Sequence, residues 1–377
     1  MIKTTLTSLA LLALTGLATA STTVSQRGTF VSPTDKRIVY TGRISFHNPE
    51  RPAFNYPGVQ VMAAFEGTSL KLVAKPRSGY FMAQIDEAEP FKVAFSGERD
   101  SVVTIATALP DGRHTVRLMY IIEGYELRPE FWGFILDRGR SLCTPPQLPA
   151  RKIEYVGNSI TCGYGNESVV ASDPYEYETQ NHYYTYAAIT SRNLQAQHSV
   201  VARSGIGVYR NYNGPRTGNP ESCMTVQYGY TLYAVQPSFR QRSKQEAERW
   251  DFSRYQPDVV CINLGTNDLS TPNFDERYVK KGYQEVLRQV REGNPQAAIV
   301  LLSGSMLNGK ELALAKKLMD EVADEAHRAG DQRVYRFDFS PQTGSLKFGA
   351  SWHPSLWQHE KMAAELTAYL RELMQWF

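Results

Sequence analysis

What this chain lacks narrows its chemistry before any motif is read. It has no Cys-x-x-Cys, no His-Glu-x-x-His and no tight His/Cys cluster, so no metal-ligand spacing is visible, a metal-dependent hydrolase is disfavoured and no cofactor is expected. Neither sign of charge dominates: 41 Lys and Arg face 38 Asp and Glu, a net +3 that is too weak a field for a nucleic-acid partner. Beyond the first 20 residues no apolar run approaches a membrane span, which needs roughly 20 apolar residues. Internal repeats and low-complexity tracts are also missing. Only four cysteines occur in 377 residues, and a chain of this length does not depend on disulfides to fold. With 42% hydrophobic and 21% charged residues, disorder, collagen and coiled coil are excluded.

The first residues carry an address. Lys3 is a positive n-region, Leu6 to Leu17 is an apolar stretch broken by small residues, and Ala18-Thr19-Ala20 fits the small-x-small cleavage rule. Residues 1–20 therefore read as a signal peptide, and the mature chain as secreted or periplasmic with no membrane contact after cleavage.

Two rhythms follow. From Ser21 to about residue 142, short apolar segments such as Val59–Phe65, Leu70–Val73, Phe91–Phe95, Ser101–Ala106 and Thr115–Tyr120 are broken by Gly, Asp and Pro, which predicts a β-sandwich or jelly roll. Residues 143–150, with three prolines, read as a stiff connector. From 151 to 377, strands at Ile153–Gly157, Ser199–Ala202, Val259–Leu264, Ile299–Leu302 and Val334–Phe339 alternate with helical stretches at Tyr183–Leu194, Glu276–Glu292, Glu311–Ala329 and Trp357–Leu373. That alternation predicts an α/β/α domain with a parallel sheet, whose strand ends at the carboxyl side converge on a crevice.

Three turns at those strand ends carry polar groups. The first strand runs into Gly157-Asn158-Ser159, which presents a serine hydroxyl. The second ends in Arg203-Ser204-Gly205, where a glycine offers a backbone N–H. The third ends in Gly265-Thr266-Asn267-Asp268, where Asn267 offers an amide. Each turn alone is ordinary loop chemistry. Together they supply a nucleophile and the donors of an oxyanion hole, formed by the N–H groups of Ser159 and Gly205 with the Asn267 side chain. A base is still required. Of seven histidines, His353 lies in the loop between the last strand and the last helix and faces the same crevice, whereas His359, His182 and His327 fall in helical stretches and His47 and His114 in the β-rich half.

The blocks Gly157-Asn158-Ser159, Gly205, Gly265-Thr266-Asn267-Asp268 and His353 resemble those of the SGNH (GDSL-type) hydrolases. Arg151 to Gly165, Trp250-Asp251-Phe252, Phe131 to Asp137 and His353-Pro354-Ser355 with His359 to Ala363 resemble carbohydrate esterase family two over nearly the whole mature chain. The resemblance implies a jelly-roll domain fused to an α/β/α SGNH domain, and removal of O-acetyl groups from plant polysaccharides such as xylan and glucomannan. An acetylated polysaccharide or oligosaccharide is then the partner. Two departures stand out. Asn158 replaces the usual Asp, and Ala350 occupies the position three before the histidine where an Asp usually sits. An orienting acceptor for the imidazole is still needed, and a backbone carbonyl of the His353 loop is expected to supply it, giving a Ser–His dyad. Trp352 and Tyr164 are candidates to stack on sugar, and Trp357 is expected to be packing.

Two alternatives stay open from the residues. One is an esterase for another acyl substrate, such as a peptidoglycan O-acetyl group, an aryl ester or a lipid. The other is a polysaccharide-binding protein with a decayed site. Among the thiols, Cys261 lies in a predicted buried strand and is expected to be free. Cys162 and Cys223 border the crevice, so a disulfide between them is one expectation; Cys143 opens the connector.

Overall fold

The structure is a computed structural model that describes residues 18–19, 28–232 and 248–377. Apart from Ala18 and Thr19, the expected signal peptide lies outside the described residues.

The amino-terminal half is a sandwich of two sheets. Strands β1 (Ala18–Thr19), β3 (Val39–Thr41), β4 (Gln60–Gly67), β6 (Gly79–Ile85), β7 (Phe91–Phe95) and β9 (Gly112–Tyr120) form one sheet in the order β1-β7-β6-β9-β4-β3. Strands β2 (Thr29–Val31), β5 (Leu70–Ala74), β8 (Val102–Ala106) and β10 (Phe131–Leu136) form the other, in the order β2-β10-β5-β8. Every pairing is antiparallel except β1 with β7. Inward residues such as Val61, Phe65, Leu72, Phe81, Val103, Leu118 and Phe134 fuse the sheets into one buried cluster. Each such side chain contributes roughly 1.5–3 kcal/mol by leaving water. The Pro110-Asp111-Gly112 turn does not close a hairpin. It carries the chain from β8 in one sheet to β9 in the other, because β8 pairs with β5 and β9 with β4.

Residues 143–150 carry no strand or helix and lead into the second half. There β11 (Arg151–Gly157), β12 (Ala196–Ala202), β15 (Val259–Asn263), β16 (Ala298–Ser303) and β17 (Val334–Asp338) form a parallel sheet in the order β12-β11-β15-β16-β17, flanked on the chain by a small ribbon of β13 (Tyr230–Leu232) and β14 (Glu248–Arg249). Successive residues of a strand point to opposite faces, and both faces are apolar. Val156, Val260 and Ile262 pack on the side covered by the helices Glu276–Gly293 and Gly309–Arg328. Tyr155, Cys261 and Val300 pack on the side covered by Tyr186–Asn193 and Leu356–Met374. The expected helix over Tyr183–Leu194 starts later than predicted: His182–Tyr184 is a 3₁₀ turn, and Thr185 caps the helix that follows by accepting from the Ala188 N–H.

The two halves are joined by buried polar contacts. Arg43 pairs with Glu154 at 3.2 Å, both side chains being almost wholly buried. The Tyr125 hydroxyl donates to the Ala202 carbonyl at 2.6 Å, at the carboxyl end of β12. The sandwich therefore abuts the end of the parallel sheet where the polar turns lie.

Candidate active site

Register brings the turns together. Gly157 lies opposite Ala202 on one side and Asn263 on the other, so β11, β12 and β15 end side by side at the point where strand order reverses. The chain leaves β11 through a tight turn. A Cβ on Gly157 would stand 2.0 Å from the Thr161 hydroxyl, so only glycine allows it. Asn158 then caps the short helix α1 (Ser159–Cys162), its side-chain oxygen accepting from the Ile160 N–H at 3.0 Å. An Asn performs this cap as well as an Asp, so the first departure from the usual block leaves the turn intact. Ser159 opens the helix with its N–H in the unpaired first turn.

His353 arrives 194 residues later, and its Nε2 lies 2.9 Å from the Ser159 Oγ. Its Nδ1 faces the carbonyls of Ala350 at 3.1 Å and Ser351 at 3.2 Å. Two carbonyl acceptors require the proton on Nδ1, which leaves Nε2 as an acceptor for the serine hydroxyl. No carboxylate bonds to Nδ1 among the described residues. The loop holds this geometry through consecutive left-handed residues, Ser351 with φ 50° and Trp352 with φ 58°. Non-glycine residues adopt that region at a cost, and such strain collects where a carbonyl or side chain must be aimed. It is held by the Asp173 carbonyl, which accepts from Ser351 N–H at 3.2 Å, and by the Ala171 carbonyl, which accepts from Trp352 N–H at 3.1 Å. Burial holds the imidazole down to about 4, so it is neutral and able to accept a proton at neutral pH.

Gly205 and Asn267, the other expected donors, follow the ends of β12 and β15. Gly205 sits at φ 75°, where a Cβ would meet nothing within 4 Å. Glycine is needed there for backbone conformation, and open space lies beside it. The Gly205 N–H has no acceptor among the described residues. Asn267, buried at the start of the short helix Thr266–Leu269, donates one amide hydrogen to the Ile206 carbonyl at 2.8 Å and keeps the other.

Two carboxylates that the sequence did not single out as site residues hold this donor loop. Glu123, from the sandwich, accepts from the Ser204 N–H at 2.7 Å and also from the Ser204 hydroxyl. Asp268 accepts from the N–H groups of Val208, Tyr209 and Arg210 at 3.0 to 3.1 Å. Burial raises the pKa of both. The signal for Glu123 is a lone charge in the apolar run Ile121-Ile122-Glu123-Gly124; Asp268 was visible only as a neighbour of Asn267. Tyr212 was also missed: its N–H donates to the Gly205 carbonyl at 2.8 Å, and its side chain is 61% exposed.

Two expectations need correction. Tyr164 is not free to stack on a sugar. Its ring stacks on His353 at 4.2 Å between centroids and on Tyr175 at 4.5 Å, so both faces are taken. Cys162 and Cys223 do not pair. The buried Cys162 thiol is turned to Glu123 and Ser204, while Cys223 Sγ lies 3.8 Å from Asn211 Oδ1. Cys261 is a free thiol in the sheet core. Trp352 is 57% exposed beside the imidazole; Trp357, expected to be packing, is 43% exposed with Lys347 Nζ above its ring.

Comparison with known proteins agrees with this fold. Residues 40–146 match the carbohydrate esterase 2 N-terminal family, and residues 155–365 match the GDSL-like lipase/acylhydrolase family. A cellulase/esterase of Acetivibrio thermocellus is 35% identical over 90% of this chain, which spans only 40% of that protein's length. An acetylxylan esterase/glucomannan deacetylase of Cellvibrio japonicus is 28% identical over 92% of this chain and 91% of its own. Among solved structures, a family two carbohydrate esterase from Clostridium thermocellum, in complex with cellohexaose, superposes with a TM-score of 0.80 at 36% identity, covering 90% of this chain and all of that one. The sandwich and the parallel sheet thus recur together, and the chain belongs to carbohydrate esterase family two, a group of carboxylic ester hydrolases within the GDSL-like lipase/acylhydrolase family.

Proposed function

We propose that this protein is a secreted or periplasmic serine esterase that removes O-acetyl groups from plant cell-wall polysaccharides, xylan and glucomannan among them. The observation that carries the reading is the 2.9 Å contact between His353 Nε2 and Ser159 Oγ, with Nδ1 held by two carbonyls. Ser159 attacks the acetyl carbonyl carbon while His353 takes the hydroxyl proton. The N–H groups of Ser159 and Gly205 and the Asn267 amide receive the oxyanion, each donor supplying about 2.7–4 kcal/mol of transition-state stabilisation. Collapse expels the sugar oxygen, which takes its proton from His353. Water, deprotonated by the same imidazole, then releases acetate and restores Ser159.

Trp352, next to His353 in the chain, and Tyr212, bonded through its N–H to Gly205, are large and exposed, which suits them to contact the sugar that carries the ester. The relatives support the substrate class, since one is named acetylxylan esterase/glucomannan deacetylase and another is bound to cellohexaose. The reading divides the chain into a leader at 1–20, whose cleavage removes β1, a sandwich domain at 21–142, a connector at 143–150 and a hydrolase domain at 151–377. Amino-terminal sequencing of the exported protein should begin at Ser21.

Acetate release from a panel of acetylated xylan, glucomannan and peptidoglycan, with short- and long-chain aryl esters beside them, tests the function. Release from the plant polysaccharides and from the short ester is expected. Preference for peptidoglycan or for long acyl chains would replace the substrate assignment, and no release from any ester would replace the enzyme with a binding protein.

A further inference from the structure

The imidazole of His353 must carry a positive charge during the reaction, yet its Nδ1 meets only neutral carbonyls. Something else has to favour the charged ring. We propose that Tyr164 does so: the face of its ring, stacked on His353 at 4.2 Å with an interplanar angle of 29°, stabilises the imidazolium where a carboxylate is absent. This inference rests on the reading of His353 as the base.

The placement of Tyr164 is built into the backbone on both sides. Gly163 ends α1 at φ 84°, and the N–H groups of Gly163 and Tyr164 both donate to the Ser159 carbonyl, at 3.0 and 3.1 Å. Tyr164 is thus tied to the nucleophile's own peptide unit. The next residue joins the turn to the base loop, because the Ala350 N–H donates to the Gly165 carbonyl at 2.9 Å. A Cβ on Gly165 would lie 2.3 Å from the Ala350 Cβ, and one on Gly349 would lie 2.5 Å from the Gly165 carbonyl. Two glycines therefore let the loops meet backbone to backbone, and the meeting lays Tyr164 over His353. Tyr175 backs the ring on its other face at 4.5 Å.

The physical argument is a difference between states. An aromatic face is electron-rich and attracts a cation more strongly than a neutral ring of the same shape. Before reaction the imidazole is neutral and the stack is mainly dispersion. When Ser159 attacks, the proton moves to Nε2 and the same stack gains an electrostatic component. Only an interaction that strengthens in the transition state raises the rate. The surrounding groups do not supply it instead. Ser159 and the Ala350 and Ser351 carbonyls are neutral, His359 is buried and neutral on the last helix, the Glu123 carboxylate is taken up by the Ser204 N–H and hydroxyl, and Asp173, whose segment packs on Ser351, turns its carboxylate to the Ser168 hydroxyl at 2.7 Å.

The test follows 4-nitrophenyl acetate hydrolysis against pH in the full chain carrying Tyr164→Phe, Tyr164→Leu or a tetrafluorinated phenylalanine at position 164, with His353→Ala alongside. Phenylalanine keeps the electron-rich face and should stay within about twofold of wild type. Leucine should lower kcat roughly tenfold, equivalent to about 1.4 kcal/mol, with KM little changed, and should move the acid limb of the profile down by about one unit. A merely structural role moves that limb the other way, because a loosened site admits water and lets the imidazole rise toward its ordinary value. The fluorinated ring keeps the shape, loses the electron-rich face and should behave like leucine. Full kcat in the leucine and fluorinated proteins, or an acid limb that rises, overturns the role of Tyr164. Should His353→Ala itself retain activity, the assignment of the base fails instead, so the two failures are distinguishable.

Discussion

Two turns deliver the proposed nucleophile and base, and they are held in opposite ways. The Ser159 turn is local. Gly157, the Asn158 cap and the Gly163 C-cap lie within seven residues of one another, and each does what its residue type does in any protein. The His353 loop is held from outside. Left-handed Ser351 and Trp352 are kept in place by carbonyls of 171 and 173, and Ala350 by the carbonyl of Gly165. A turn built from its own sequence is cheap to specify and easy to recognise. A loop aimed by distant contacts can point two carbonyls at one nitrogen, which no local motif does.

The largest expected effect strikes both turns at their proposed reacting atoms. Ser159→Ala and His353→Ala should each reduce acetate release by about a thousandfold or more while leaving the thermal midpoint close to wild type. A tenth of wild-type activity in Ser159→Ala would mean another nucleophile.

Each turn also rests on a buried neutral histidine, and this sets the response to acid. His182 Nδ1 lies 2.8 Å from the Thr161 carbonyl behind the serine turn, and His359 Nδ1 accepts from the Tyr186 N–H beneath the base loop. Burial pushes both down to about 3 from an ordinary 6.5. The unfolded chain therefore binds protons first. Stability from these groups is whole above about pH 6.5 and falls as pH drops toward 3, by up to about 1.4 kcal/mol per histidine per pH unit. Thermal midpoints at pH 7, 5.5 and 4.5 should decline in step, and Tyr186, whose N–H meets His359, should lose amide protection early in that decline.

Joining the turns is the next test. Gly165→Ala puts a methyl at φ 55° against Ala350 and should cost about 1–3 kcal/mol in urea unfolding, with a large loss of kcat. Gly205→Ala sharpens the contrast. No atom opposes its Cβ, so stability should fall by only about 1–2 kcal/mol for the left-handed backbone, while activity should fall because the methyl enters space beside the proposed oxyanion donors.

The smallest effect concerns strain. Ser351→Gly relieves a left-handed serine but frees the unfolded chain, so stability should change by less than about 1 kcal/mol. The carbonyls on His353 Nδ1 would be held less firmly, and kcat should drop severalfold at unchanged KM.

What the sequence by itself determined is whatever short-range chemistry dictates. The change from period-2 segments to alternating strands and helices separates the sandwich from the parallel sheet. Gly157-Asn158-Ser159, Gly205 and Gly265-Thr266-Asn267 mark three strand ends because tight turns demand those residue types. Strand β7 and the long helix at Glu276 began where periodicity put them, whereas β6 and the 3₁₀ turn before Tyr186 were not legible, because their apolar residues are placed by the core rather than by an alternating pattern. Only the tertiary structure decided the rest. It turned Tyr164 inward onto His353, kept Cys162 and Cys223 apart, and brought Glu123 from the sandwich to Ser204 across 81 residues of chain. The reason is physical: a side chain's partner is set by which distant segments the core forces together, and at these separations neither spacing nor residue type encodes that meeting.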